Sequence, residues 1–349
     1  VLFRSKKPYD RIITDELQLF SYTSIRQLIQ LADHPLIMFG DFNQGRFYFR
    51  FKKLTAILPS LQALSLSDNH RCSKPIIELS NSILELMRLY LGGEFEREIV
   101  TSLTHARKDE QADCGTHFVL EKDFVKIQLN ADEETVFVVD SQASKEVVLD
   151  KFGSGRIVLL ASQVPGLEFD NVIVYDFINK DYDELAKHLQ TSSPDSKGST
   201  YKPKQKESAY SRLKDIGKFR DLFLMVTRAR NSVYVVNKKS LFITKLLERD
   251  ALVEYKNDSA SSAVSSKVEL TNIASIVKLL NKHPSRHEGI RLLNLHLAKI
   301  NKDLQSNFND IIEPLFLLNF NFTNNAVNVL LNSISEEELK NNVESFLST

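Results

Sequence analysis

The feature that most constrains the fold is an alternation between short, unbroken apolar runs and stretches whose apolar residues recur at helical spacing. The runs at 116–120, 135–139, 156–161, 171–175 and 233–236 are each long enough for one strand, and none alternates apolar with polar. A strand that is apolar at consecutive positions is buried on both faces, as in a parallel sheet covered by helices. The first segment has the same rhythm. A short run at 11–14 ends in acid, helical spacing follows over 23–32, and a second run at 36–39 is closed by Gly40-Asp41. The pattern predicts an α/β layered fold.

Beyond Leu66 the alternation restarts with a helix over 74–90, which sets a domain boundary between 1–64 and 65–256. Within the second domain, a Ser/Lys/Pro/Gly tract between Gln190 and Glu207 has no apolar period and reads as a solvated loop. Residues 257–266, rich in Ser and Ala, read as a linker. The remainder, 267–349, has almost no strand signal. Ile273, Ile276, Val277 and Leu280 form one helical stripe, and Leu292, Leu293, Leu295, His296 and Ile300 another. That segment is expected to be an all-helical module that folds as its own bundle, with docking against the preceding domains or a protein partner as the alternative. Glu336, Glu337 and Glu338 after Ser335 read as a capped helix start.

Bulk properties narrow the setting. The 349 residues suffice for two or three domains. Lys+Arg and Asp+Glu each number 45, so no global basic charge points to nucleic acid, although a local basic groove needs none. The two cysteines, Cys72 and Cys114, form no CxxC pair, which argues against a disulfide framework and for an intracellular setting, cytoplasmic or nuclear. No apolar run approaches a membrane span, and nothing at the start resembles a signal peptide. The chain opens on Val1 and reads as a fragment lacking an upstream part.

The first strand delivers two adjacent carboxylates, Asp15 and Glu16, at its C-terminal edge, where open α/β sheets bind ligands. A nucleotide hydrolase needs one such group to hold Mg²⁺ and a second to polarise the attacking water. An acidic, solvated turn after a strand has the same sequence, and the pair alone does not separate the two.

The pair has company. Asp15-Glu16-Leu17-Gln18 resembles the helicase motif written DEAQ. The run ending Gly40-Asp41-Phe42-Asn43-Gln44 resembles GDxxQ. Asp68-Asn69-His70-Arg71-Cys72-Ser73 resembles the NYRS segment, Pro165-Gly166-Leu167-Glu168-Phe169-Asp170 the KGLEFD motif, and Thr227-Arg228-Ala229-Arg230 the final TRAR motif. Five motifs in family order are similar to superfamily 1 helicases of the UvrD/Rep type. The GLEFDNVIVYDF wording also resembles the helicase-like domain of large eukaryotic proteins with tetratricopeptide and ankyrin repeats.

The resemblance implies two RecA-like lobes, the first truncated, with ATP between them and single-stranded DNA or RNA as partner. Asp15 would hold Mg²⁺ and Glu16 would act as base. Gln44 would sense the γ-phosphate, and Arg71 and Arg228 would reach it as arginine fingers. Glu168, beside Gly166, would bond the ribose, and His70 would stack on adenine. Phe47 and Phe49 lie where related motors stack bases, although core packing suits them equally. The phosphate-gripping GxxxxGK[ST] loop is absent from the sequence, so this chain alone is expected not to hydrolyse ATP. Pro165 stands where relatives carry Lys, which weakens the expectation for strand binding more than that for ATP chemistry. A second expectation stays open: a helicase-like module that binds partners or responds to nucleotide without catalysis. Cys72 reads as a small packed residue, and the eight histidines show no metal-binding spacing.

Overall fold

The computed structural model describes residues 9–44, 54, 56–58, 60–62, 64–91, 103–108, 114–124, 134–190, 209–255, 272–282, 284–300, 311–312, 321–333 and 335–348. Phe47, Phe49, the linker 257–266 and the tract 191–207 lie outside the described residues.

The chain is mixed α/β. Two short parallel pairs come first: β1 (Ile13–Thr14) with β2 (Ile37–Met38), and β3 (Asp68–Asn69) with β4 (Thr104–His105). The remaining strands are β5 (Gly115–Val119), β6 (Thr135–Val139), β7 (Ile157–Leu160), β8 (Phe169–Tyr175), β9 (Ala229–Val236) and β10 (Val253–Glu254). They form a six-stranded sheet in the order β10-β5-β9-β8-β6-β7. The β6–β7, β6–β8 and β8–β9 pairings are parallel, with one register slip between Phe169 and Asn171.

Two compact units share these elements. The first comprises Val1–Thr116, Ile178–Thr227 and Lys239–Glu254; the second comprises His117–Phe177, Arg228–Lys238 and Tyr255–Thr349. They are not consecutive blocks, because the connections that follow β8 and β9 belong to the first unit.

In the first unit, the helix Tyr22–Leu31 starts where the Ser21 hydroxyl accepts the Ser24 N–H, 3.0 Å away. Its Ile25 packs with Leu17 and Leu54 in a small apolar cluster. The helix Lys74–Leu91 tolerates Pro75 because a first-turn residue needs no N–H. It buries Ile76, Leu79, Ile83, Leu86, Met87 and Tyr90 along one face, at helical intervals. Tyr90 donates its hydroxyl to Asp215 on the helix Ala209–Val226 and lies 5.9 Å from the Phe219 ring. Phe219 meets Phe242, which in turn meets Tyr182 edge-on at 5.2 Å. Each such fully buried side chain contributes about 1.5–3 kcal/mol.

In the second unit the sheet interior is continuous hydrocarbon. Val136, Phe137, Val138 and Val139, and likewise Val172, Ile173 and Val174, are buried on both faces, as the unbroken apolar runs predict. The helix Gln142–Phe152 covers one face, capped by Ser141, and Phe152 packs on Phe124, Phe137 and Tyr175.

The C-terminal helices Ile273–Leu280, Arg286–Ile300, Asn324–Leu331 and Glu336–Ser348 pack on one another and also on the sheet. Glu288, with 1% of its surface exposed, accepts the Val158 N–H at 2.9 Å and pairs with Lys145 and Arg291. Arg291 donates to the carbonyls of Ser154 and Arg156. One of these helices, Arg286–Ile300, contacts β7, at the end of the sheet order. The physical reason is the edge itself: an uncovered edge strand exposes unpaired amides, and Glu288 occupies one of them. The Ser335 hydroxyl caps the last helix by accepting the Glu338 N–H, as its sequence suggests.

Candidate functional site

The parallel pairing of β1 and β2 aligns Ile13 with Ile37 and Thr14 with Met38, and thereby brings the segments after both strands together. The Leu17 N–H donates to the Phe39 carbonyl at 2.8 Å. Gly40 fits against this contact because it lacks a side chain: an added Cβ would lie 2.8 Å from Leu17 Cβ and from Gln18 Oε1. Glu16 turns the chain in the left-handed region, at φ 53°.

Gln18, 2% exposed, is the hinge of the arrangement. Its Nε2 donates to the Glu16 carboxylate, and its Oε1 accepts the Asp41 N–H at 3.0 Å. The Asp41 carboxylate in turn accepts the Asn43 N–H at 2.9 Å and Gln44 Nε2 at 2.8 Å. One chain of hydrogen bonds therefore runs Glu16–Gln18–Asp41–Gln44 and joins the two acidic segments of the first unit. Asp15 stands exposed beside it and accepts the Glu16 N–H. Among the described residues no group of three His, Cys, Asp or Glu forms a metal site. Mg²⁺ does not require one, since it is ordinarily held through water by one or two carboxylates together with substrate phosphates.

Arg71 and His70 also belong to the first unit. Asn69 shapes their turn by accepting the N–H groups of Arg71 and Cys72 at 3.0 and 2.8 Å. His70 is exposed and Arg71 half-buried, while Cys72 is wholly buried as a packed thiol.

The other candidates sit in the second unit. Gly166 makes its turn at φ 76°, a conformation that suits glycine. The Phe169 N–H donates to the Arg228 carbonyl at 2.9 Å, and Arg228, 3% exposed, directs its guanidinium to the Leu167 carbonyl at 3.5 Å. Arg230 pairs with the Glu168 carboxylate at 3.1 Å. Lys278, from the C-terminal helices, donates to the Glu168 carbonyl and to Glu134. The GLEFD-like and TRAR-like segments are thus tied to each other by one backbone hydrogen bond, one guanidinium–carbonyl contact and one ion pair. Sequence reading misses Lys278, which lies 110 residues from Glu168 and carries no motif. Gln18 was legible only as a motif letter, although a buried amide two residues from a carboxylate is itself a signal.

The most perturbed titration lies at the carboxyl ends of β5 and β8. Tyr175 is pushed up to about 12, first by burial and then by donating its hydroxyl to Glu121. Glu121 is held below its ordinary value by the Lys151 ammonium and then by Tyr175. Asp176 is raised by burial, with the Glu121 charge adding to it.

No family model matches the chain, and no curated protein does. Among solved structures the chain is similar to the arterivirus nonstructural protein 10, a helicase, at 14% identity and a TM-score of 0.30. The likeness covers 64% of this chain, which spans only 38% of the viral protein. No described helix is long and apolar enough to cross a membrane.

Proposed function

We propose that the chain is part of an ATP-dependent helicase or translocase acting on single-stranded DNA or RNA, built from two RecA-like lobes of which the first is incomplete here. The observation that carries this reading is the Glu16–Gln18–Asp41–Gln44 hydrogen-bond chain. A merely solvated acidic turn has no need to wire its carboxylate to a second segment through a buried amide. In this reading Asp15 holds Mg²⁺ and Glu16 orients the attacking water. Gln44 senses the γ-phosphate, so that its loss or gain is passed to Glu16 through Gln18 and Asp41. Glu168 and Gly166 contact the nucleotide, Glu168 at the ribose, while His70 stacks on the base. Arg71 and Arg228 supply positive charge to the leaving phosphate. Incompleteness of the first lobe is supported by Ile13 and Ile37, which are 66% and 44% exposed on a parallel pair, a kind of sheet that is ordinarily covered. A longer chain then supplies the phosphate-gripping loop.

The non-catalytic module is the second reading, and the burial of Arg228 favours it: with 3% exposure, its guanidinium serves first to tie two segments of its own unit. Steady-state hydrolysis separates the two. This chain alone is expected to hydrolyse no more ATP than its Glu16→Gln variant, with or without single strands. The longer protein bearing a GxxxxGK[ST] loop is expected to hydrolyse ATP, and Glu16→Gln to lower its kcat by about 10²–10⁴-fold. A longer protein that leaves ATP intact favours the module.

A further inference from the structure

We infer that the C-terminal helices act as a control arm on the GLEFD-like segment, with Lys278 as the positioning residue through which they act. The functional meaning of this contact rests on the nucleotide reading of Glu168; the contact itself does not.

Lys278 sits near the end of the helix Ile273–Leu280, whose start is fixed by Asn272 accepting the Ser275 N–H at 2.9 Å. Its ammonium makes three contacts with different chemistry. It donates to the Glu134 carboxylate at 2.9 Å and to the backbone carbonyl of Glu168, and it lies 4.8 Å from the centroid of the Phe169 ring. An ammonium carries three donors and no acceptor, so one group satisfies a carboxylate, a carbonyl and a π face together. Those contacts hold the peptide that follows Glu168, and Arg230 holds the Glu168 carboxylate. Between them the backbone and the carboxylate of Glu168 are both fixed. One turn further on, Lys282 Nζ is the nearest atom to the open side of Gly166. The arm thus brings two lysines to this segment.

The arm is rigid because its far end is anchored. The Glu288 carboxylate is fully buried and takes hydrogen bonds from Val158 N–H, Lys145 and Arg291. The Pro284 carbonyl accepts from Gln163, on the segment that leads into Gly166. A shift of these helices, by a partner or by a neighbouring domain, must therefore break or move the bond at the Glu168 carbonyl.

The test compares Lys278→Met, Lys278→Arg and wild-type chain by hydrogen–deuterium exchange, with thermal unfolding as the control for global stability. Lys278→Met is expected to speed exchange at residues 166–170 about tenfold or more while the rest of the sheet is unchanged, and Lys278→Arg to restore protection. Unchanged exchange at 166–170 overturns the inference. So does acceleration spread evenly over β6, β7 and β8, which marks Lys278 as a global stabiliser only. The same three variants, made in a longer protein that joins this chain to a GxxxxGK[ST] loop, are then titrated with a fluorescent ATP analogue and Mg²⁺. Weaker binding by Lys278→Met, about fivefold, with recovery in Lys278→Arg, supports control of the nucleotide site. Equal binding by Lys278→Met and wild type overturns that control, whereas no binding by any of the three leaves the exchange result standing and sinks the nucleotide reading of Glu168 instead.

Discussion

Gln18 joins two segments because a primary amide donates and accepts at once, which no carboxylate or ammonium can do. Its Oε1 and the Leu17 backbone leave room at position 40 for hydrogen alone. Gly40→Ala is therefore expected to destabilise the first unit by about 1–3 kcal/mol, the usual cost of forcing atoms into a packed contact. A urea midpoint equal to wild type would show the contact to be loose. At the carboxyl end of β8 the relevant quantity is a proton. Tyr175 titrates near 10.0 when free and at about 12 in the folded chain. Between those values the folded state keeps a proton that the unfolded state releases, so stability falls as pH rises through that window. Tyr175→Phe removes this contribution. Its stability is expected to fall less steeply than that of wild type from pH 10 to 12, and parallel slopes would contradict the assignment.

Among the elements, those with unbroken apolar runs were legible in the sequence. β6 spans 135–139 both as read and as observed, and the helix read at 74–90 extends by one residue. β9 was legible only from Val233, although it begins at Ala229. Its first half is Ala-Arg-Asn-Ser, and Asn231 and Ser232 are buried although polar. Pairing with β8 places them there, and hydropathy does not report pairing. The candidate site was legible as five short motifs. The ties between motifs were not, because Gln18, Arg230 and Lys278 act across 23, 62 and 110 residues. The attachment of the C-terminal helices was equally invisible: their stripes predict burial but not against what. Glu288 supplies the answer, and its loss is informative. Glu288→Ala leaves Lys145 buried without its carboxylate, and is expected to cost about 3–5 kcal/mol by thermal or urea unfolding. A cost below about 1 kcal/mol, the range of a surface ion pair, would show that the arm is not anchored there.

For the molecule as a whole, the proposed nucleotide chemistry belongs to motifs carried by both compact units, and the proposed regulation to helices that follow them. The first unit joins its Asp15–Gln18 and Gly40–Gln44 segments through Gln18, and the second joins its Gly166–Asp170 and Thr227–Arg230 segments through Arg228 and Arg230, with Lys278 bonded to the Glu168 carbonyl. The most direct measurement is translocation by a protein that joins this chain to a GxxxxGK[ST] loop. Displacement of streptavidin from end-biotinylated single strands reads it without requiring a duplex. ATP-dependent displacement from one end only is expected, abolished by Glu16→Gln while strand binding persists. Displacement unaffected by Glu16→Gln, or strand binding without any displacement in ATP, would contradict it.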